Sequence, residues 1–211
     1  MPKEIAQLSS LDSLDLSGNQ LQKLPEEIVQ LTNLYSLELD ENQIQALPKE
    51  IEQMNNLLGV DLNNNQLQVL PKEITQLTSL SSLNLSHNQL QALPKEIAQL
   101  TKLESLELHH NQLQTLPKEI GQLTNLSYCN LRHNQLQTLP KEIVQLNRLI
   151  YLFLSSNQFQ KIPKSAIDNP SLKVLDLDDN PIKDFPTTGY HRTLDGFKKW
   201  IEDVENGKEI N

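Results

Sequence analysis

The stretch that decides the fold is LSSLNLSHNQLQALPKEIAQLTK, residues 80–102. In its first part, alternate side chains are apolar, which is typical of a short β-strand with one buried face. In its last part, PKEIAQL spaces apolar residues three apart, as in a helical turn, and its proline stands where a backbone N–H is dispensable. The unit is therefore a strand, a turn through an asparagine and a helical return of the chain.

The same unit recurs along almost the whole chain in the form LxxLxLxxNxLxxLPxxIxxLxx. An asparagine returns every 23 residues without an insertion, at Asn19, Asn42, Asn65, Asn88, Asn111, Asn134, Asn157 and Asn180. A fixed period of this length indicates a solenoid, because one unit cannot bury its own apolar side and must stack on its neighbour.

Stacking places the strands side by side about 4.8 Å apart, in one parallel sheet on the inner side of an arc. Each asparagine then lies where the chain leaves its strand. We predict that its amide bonds backbone groups of its own and adjacent turns, because an unpaired buried polar group costs about 1–3 kcal/mol. The helical returns form the outer side, where Lys95 and Glu96 are expected to face solvent.

The pattern resembles the leucine-rich repeat, and its 23-residue period is similar to the short intracellular and bacterial class that includes Ras-suppressor-like scaffolds. The resemblance runs from Leu11 to Pro186, eight repeats. It implies an α/β fold: a right-handed leucine-rich-repeat solenoid (horseshoe or arc) with a single parallel sheet on the concave side. It also implies short helical or 3₁₀ turns on the convex side and a C-terminal capping helix.

The two ends depart from the repeat. Residues 1–10 match the second half of a repeat that lacks its strand, so the amino end is predicted to be uncapped. Such an end is consistent with a fragment, with a missing preceding domain, or with self-association there.

Residues 187–211 follow an amphipathic helical pattern, with Thr193 as the expected N-cap and Gly207 just beyond the end. Its apolar positions are Leu194, Phe197, Trp200, Ile201 and Val204. We expect a helix that caps the last repeat. The alternative is a helix that docks a partner or leads into another domain, which is similar to the connecting segment of Roco-type proteins.

Composition excludes several classes of partner. The net charge of −9 disfavours nucleic acid and anionic lipid surfaces. No apolar run suggests a signal peptide or membrane insertion. The single cysteine, Cys129, favours a reducing, cytoplasmic compartment, with secretion left open if a signal has been removed.

The exposed strand positions vary from copy to copy, whereas the convex PKE triplet recurs almost unchanged. This contrast favours the concave sheet as a recognition surface. Its central exposed column is acidic in the first repeats, with Asp15, Glu38 and Asp61, and later strands carry aromatic residues. The predicted partner-binding residues are Glu107, His109, Tyr128, Asn130, Arg132, His133, Tyr151, Phe153 and Asp176.

Four histidines gather near one strand edge: His87, His109, His110 and His133. We considered a metal site, a pH-sensitive contact and plain polar strand ends. The last is favoured, because two histidines on neighbouring strands fall short of the three or four protein ligands that zinc takes. Glu107 is the one candidate carboxylate, and Arg132 stands beside His109 as a repelling neighbour. Cys129 occupies an inward leucine position and is expected to be buried and unreactive. We predict no catalytic residue, no metal and no cofactor.

The sequence therefore predicts a non-catalytic protein-protein interaction module. Its partner is expected to be a protein or peptide that presents basic and apolar groups. Two alternatives remain: a regulatory segment of a larger signalling enzyme such as a Roco-type GTPase or ubiquitin ligase, or a bacterial effector or surface protein that engages a host.

Overall fold

The computed structural model describes residues 3–183 and 193–206. Within them, eight three-residue strands form one parallel sheet in the order β1 to β8, each beside its sequence neighbour. The strands β1 to β8 are Ser13–Asp15, Ser36–Glu38, Gly59–Asp61, Ser82–Asn84, Ser105–Glu107, Tyr128–Asn130, Tyr151–Phe153 and Val174–Asp176. The register pairs residues 23 apart, for example Leu83 with Leu106. The predicted solenoid with a single parallel sheet is confirmed.

The convex side consists of short 3₁₀ helices in the part of the chain that the structure describes. They span Lys3–Gln7, Glu26–Gln30, Lys49–Gln53, Lys72–Gln76, Lys95–Gln99, Lys118–Gln122 and Lys141–Gln145. From the second onward, each follows a proline in extended conformation, such as Pro94 with φ −66° and ψ 146°. The seventh repeat differs, because its return is a single α-helical turn, α1, at Lys164–Ile167.

The core lies between the sheet and the convex turns. It is built almost entirely from leucine and isoleucine, and inward strand residues such as Leu37 and Leu106 have no exposed surface. The repeat asparagines are the main polar groups at this layer. Asn42 and the six asparagines that follow it at the 23-residue interval are buried.

These asparagines join consecutive repeats. The Asn111 amide donates to the carbonyl oxygens of Leu108 in its own turn (3.0 Å) and Leu85 in the preceding one (2.9 Å). Its oxygen accepts the backbone N–H of Leu90, also in the preceding turn, at 2.9 Å. The same three bonds recur at the other buried asparagines of the series.

The amino-terminal repeat is packed less completely than the others. Leu8 is 49% exposed, and Ile5, Leu11 and Leu14 are only partly buried. Asn19 is exposed and donates to carbonyl oxygens of its own turn. Self-association through this end stays a prediction.

The last helix, α2, spans Leu194–Glu205 and begins as expected, because the Thr193 hydroxyl accepts the Gly196 N–H at 3.2 Å. Leu194 and Phe197 are buried, and the helix lies against α1 and β8. Pro186, the predicted end of the repeats, and Gly207, the predicted residue beyond the helix, lie outside the described residues. The division into residues 1–10, 11–186 and 187–211 stays a prediction.

We predict that Asn111→Leu lowers the free energy of unfolding by about 1–3 kcal/mol, even though leucine is more apolar. The reason is that the buried N–H of Leu90 loses its acceptor, whereas the two carbonyl acceptors keep a bond from neighbouring asparagines. Urea denaturation followed by circular dichroism measures the change.

The matched control is Asn19→Leu, at the equivalent position of the first repeat. Because Asn19 is exposed, its replacement should change the free energy of unfolding by less than about 0.5 kcal/mol. Equal losses in the two variants would contradict the structural role of the buried asparagines.

Candidate functional site

The sheet brings side chains from distant parts of the sequence onto one open face. Each strand turns its middle residue into the core and its first and third residues outward. Along this concave face Tyr128 pairs with Tyr151, and Asn130 pairs with Phe153. Asp176 follows Phe153 on the last strand. The predicted binding residues of β6, β7 and β8 are therefore immediate neighbours.

Three aromatic side chains on β6 and β7 form what we call the aromatic patch: Tyr128, Tyr151 and Phe153. The Tyr128 ring centroid lies 6.2 Å from that of Tyr151 and 5.4 Å from that of Phe153. The Tyr151 and Phe153 centroids are 6.3 Å apart. These distances lie within the range of favourable aromatic pairs. Tyr151 is 42% exposed, so apolar surface remains open to a partner.

Arg132 lies over this patch and is held by an acidic residue two strands away. Its guanidinium carbon is 4.1 Å from the Phe153 ring centroid, a cation–π arrangement. Its Nε and Nη2 donate to one carboxylate oxygen of Asp176, at 2.9 and 2.7 Å. Nε also lies 3.1 Å from the Ser155 hydroxyl. Arg132 is thus directed toward Asp176 on β8, which corrects its interpretation as a repelling neighbour of His109.

The Asp176 carboxyl responds to this contact. Burial by itself raises the pKa of Asp176, but hydrogen bonds from Arg132, from the Asp178 backbone and from Ser155 outweigh it, so the pKa lies below its ordinary value. The ion pair is therefore present at neutral pH and fixes Arg132 before any partner arrives. Ser155 was missed in the sequence, because a serine just beyond a strand carries no signal of its own.

Glu107, His109 and Asn130 form a polar group beside the patch. His109 Nδ1 lies 3.0 Å from a Glu107 carboxylate oxygen and 3.2 Å from the Asn130 amide nitrogen. A protonated Nδ1 donates to Glu107, whereas an unprotonated Nδ1 accepts from Asn130, so the two bonds are alternatives. Burial, followed by the charge and hydrogen bonding of Glu107, raises the pKa of Tyr128.

The prediction that the whole central column is exposed is wrong at Asn130. This residue is only 6% exposed, because it lies between larger neighbours and its oxygen accepts the Arg132 backbone N–H at 3.2 Å. Asn130 therefore positions Arg132 and His109 and offers little surface for a partner.

Three of the four histidines form a stack that we call the histidine ladder: His87, His110 and His133. Consecutive ring centroids lie 4.2 and 4.0 Å apart, with the planes within 18° of parallel. All three residues adopt left-handed backbone conformations, with φ between 51° and 54°. The same column holds Asn64 and Ser156, also at positive φ, so the repeat corner imposes this conformation.

The ladder favours neutral rings. Burial, and then the charges of neighbouring histidines, lower the pKa of His87 and His110 below the ordinary value of 6.5. Parallel stacked rings also aim their nitrogen lone pairs side by side and not at one point. In residues 3–183 and 193–206 no group of three or more histidine, cysteine or acidic side chains is arranged to hold a metal.

Cys129 lies between these groups but faces the core. Its side chain is buried, and burial together with the charge of Glu107 raises the pKa of the thiol to about 12. The thiolate needed for nucleophilic chemistry is therefore scarce at neutral pH.

An open, curved parallel sheet backed by stacked short turns defines a solenoid repeat protein. The chain belongs to the leucine-rich repeat family, whose profiles match residues 10–31, 32–90, 88–136 and 124–182. Proteins of this family are generally non-catalytic binding modules. None of the curated proteins matches the chain. No helix among the described residues is long and apolar enough to cross a membrane.

Solved structures give the same fold. A leucine-rich repeat protein of Leptospira interrogans is 46% identical, with a TM-score of 0.86 over 88% of this chain and 47% of its own. The ectodomain of an Arabidopsis thaliana membrane receptor kinase, in complex with Casparian strip integrity factor 2, is 30% identical (TM-score 0.73), over 85% of this chain and 26% of its own. A Listeria monocytogenes internalin, 24% identical with a TM-score of 0.77 over 85% of this chain and 51% of its own, shows the fold alone. This chain spans about half or less of the length of each of these three proteins.

We predict that the free energy of unfolding falls as the pH is lowered from about 7 through 6.5, partly because of the histidine ladder. His87 and His110 have lowered pKa values in the folded state, so the unfolded chain binds more protons in this range. His110→Asn should reduce the fall, because it removes the middle ring of the ladder. Asparagine is chosen because Asn64 already adopts the same positive φ at the equivalent corner of another repeat. Urea denaturation at about pH 7.0 and about pH 5.5, on either side of the ordinary histidine pKa, measures this fall in the free energy of unfolding.

The control variant is Glu41→Asn, which changes the same backbone corner three repeats earlier, with a φ of 54°. It should keep the pH dependence of the wild type between these two values. If His110→Asn also keeps it, the ladder does not contribute to the pH dependence.

Proposed function

We propose that this protein is a non-catalytic recognition module that binds a protein or peptide on its concave face. The observation that carries the proposal is the aromatic patch, a set of neighbouring aromatic rings left partly open on the concave face. The other outward strand residues of that face are polar, apart from Gly59 and Val174. Aromatic residues and arginine dominate the energetics of protein interfaces. The direct contacts are Glu107, His109, Tyr128, Arg132, His133, Tyr151, Phe153 and Asp176, with Asn130 acting through its neighbours.

The patch is also held in place before binding. Arg132 is fixed by Phe153 below it and by Asp176 beside it. Side chains that are already ordered lose little further freedom on binding, which favours affinity. Arg132 therefore serves as a rigid edge of the patch, with its remaining donor groups available to a partner's carbonyl oxygens.

The amino-terminal half of the concave face supports a partner with basic groups. Asp15, Glu38 and Asp61 occupy one column on neighbouring strands. Burial, together with the charges of Asp61, Glu41 and Glu38, raises the pKa of Asp40. A lysine or arginine from a partner would relieve this crowding of carboxylates.

The distance between the acidic column on the first strands and the aromatic patch sets the length of the partner segment. From β2 to β7 there are five strand-to-strand steps of about 4.8 Å each, or about 24 Å. An extended chain covers that distance in about seven residues. We propose a segment with basic residues toward β2 and β3 and apolar residues over the aromatic patch. The receptor kinase ectodomain similar to this chain was solved in complex with a factor, a precedent for such use of the fold.

We further propose that the protein acts in the reducing environment of the cytoplasm. Its single cysteine is free and buried, and a protein built for an oxidising compartment more often carries disulfides.

We predict that replacing Tyr128, Tyr151 and Phe153 together by alanine abolishes capture of the partner in pull-downs and weakens the measured Kd of the purified partner at least about tenfold. Loss of interface aromatic residues at hot spots commonly costs about 2 kcal/mol or more, which supports this magnitude. Isothermal titration calorimetry with the captured partner gives the Kd.

The control is Val69→Ala, which removes an apolar side chain that is 73% exposed and lies outside the sheet, just before the 3₁₀ helix at Lys72–Gln76. It should bind as the wild type does. Binding that survives the triple replacement, or that is lost on changing the convex Lys95 and Glu96, would reject the concave patch as the recognition surface.

A further inference from the structure

A second surface, away from the concave sheet, combines lysines with apolar side chains where the seventh repeat meets α2. Lys161, Ile162, Lys164, Lys183, Trp200 and Ile201 enclose an open hollow of about 280 Å³. A neighbouring hollow of about 290 Å³ shares Lys161, Ile162 and Lys164 and extends to Leu139 and Lys141. We call the two together the lysine groove.

The groove has an apolar floor and a cationic rim. Ile162, Trp200 and Ile201 are half-buried, whereas Lys161 and Lys183 are exposed. Among the described residues that line the two hollows there is no aspartate or glutamate. Lys164 reaches Glu205 at 3.6 Å, but both side chains are largely exposed, and such pairs bind only weakly.

Comparison with the other repeats shows that this charge is local. The position of Lys161 holds Thr138, Thr115, Ala92, Val69 and Ala46 in the five preceding repeats and a lysine, Lys23, in the first. The position of Lys183 holds glutamine in all seven preceding repeats, so the pair of lysines is found at this end alone. Ser165 replaces the glutamate that follows lysine in the PKE triplets. The corresponding hollow between the second and third repeats, about 390 Å³, is lined by glutamine, alanine, leucine, valine and proline.

We propose that the lysine groove binds an acidic peptide segment that inserts one large apolar side chain against Trp200 and Ile162. The carboxylates of such a segment pair with Lys161, Lys164 and Lys183, and its apolar side chain covers the floor. Charge complementarity selects this occupant, because the groove concentrates positive charge on a protein of net charge −9. The surface, and the charge of its partner, both differ from those of the concave face.

An anionic membrane fits the groove less well. Its apolar residues are half-buried and do not project, and the acidic remainder of the molecule is repelled by anionic headgroups. A peptide can enter the groove without bringing the rest of the protein against a charged surface.

Trp200 makes the proposal testable without a label, because it is the single tryptophan of the chain and lies in the groove. The probe is a short synthetic peptide of glutamates around a central phenylalanine. We expect a saturable change in tryptophan emission that weakens as salt is added. Peptides with lysine in place of glutamate, or alanine in place of phenylalanine, should bind much more weakly.

The test variant combines Lys161→Thr and Lys183→Gln, which are the residues that Thr138 and Gln160 supply at the same positions one repeat earlier. Loss of two exposed ion pairs should weaken the Kd about fivefold. The matched control combines Lys95→Gln and Lys118→Gln, exposed convex lysines outside the groove, and should bind as the wild type does. Thermal unfolding followed by circular dichroism verifies that both variants fold.

The proposal is overturned by any of three results. These are the absence of a saturable emission change with the acidic peptide, equal affinity in the test and control variants, and equal affinity for the lysine peptide. The membrane alternative is tested by repeating the titration with vesicles of phosphatidylserine and phosphatidylcholine in place of the peptide. Binding to these vesicles without binding to the peptide would also reject the peptide and assign the groove to a membrane surface.

Discussion

The structure depends on one constraint: a 23-residue turn of chain has an apolar side that only another turn can cover. Leucine and isoleucine supply the covering surface, but they do not set the alignment of one turn on the next. The repeat asparagine does, because it bonds its own turn and the preceding one at the same time. With this joint repeated at a fixed interval, the strands fall into register without an offset.

That register is also what creates surfaces. Residues 23 or 46 apart in the chain become first and second neighbours on the sheet, so small differences between the copies add up to a patch. Arg132, just beyond the end of β6, reaches Phe153 and Asp176 on the next two strands. Because the leucines and asparagines keep the frame constant, the outward positions can change without loss of the fold, and the two proposed binding surfaces both arise from such changes.

Much of this arrangement could be predicted. The period gave the repeat number, the parallel sheet and the inward position of Cys129, and the columns placed Tyr128, Tyr151 and Phe153 together. The burial of Asn130 could not be predicted, because its repeat position is outward and its larger neighbours cover it. Nor could the direction of Arg132, since its long side chain has acceptors within reach on several strands and the sequence does not rank them. The lysine groove was missed because it needs the position of α2.

The sequence by itself determined the solenoid, since burial of a repeated apolar side leaves stacking as the only solution and the identical spacing fixes its geometry. Tertiary structure alone decided which outward side chains bond one another and how much surface they leave open. The physical reason is that backbone register follows from periodicity, whereas rotamers depend on the competing partners that surround each side chain. His109 between Glu107 and Asn130 illustrates this, because its proton position selects one of two available bonds.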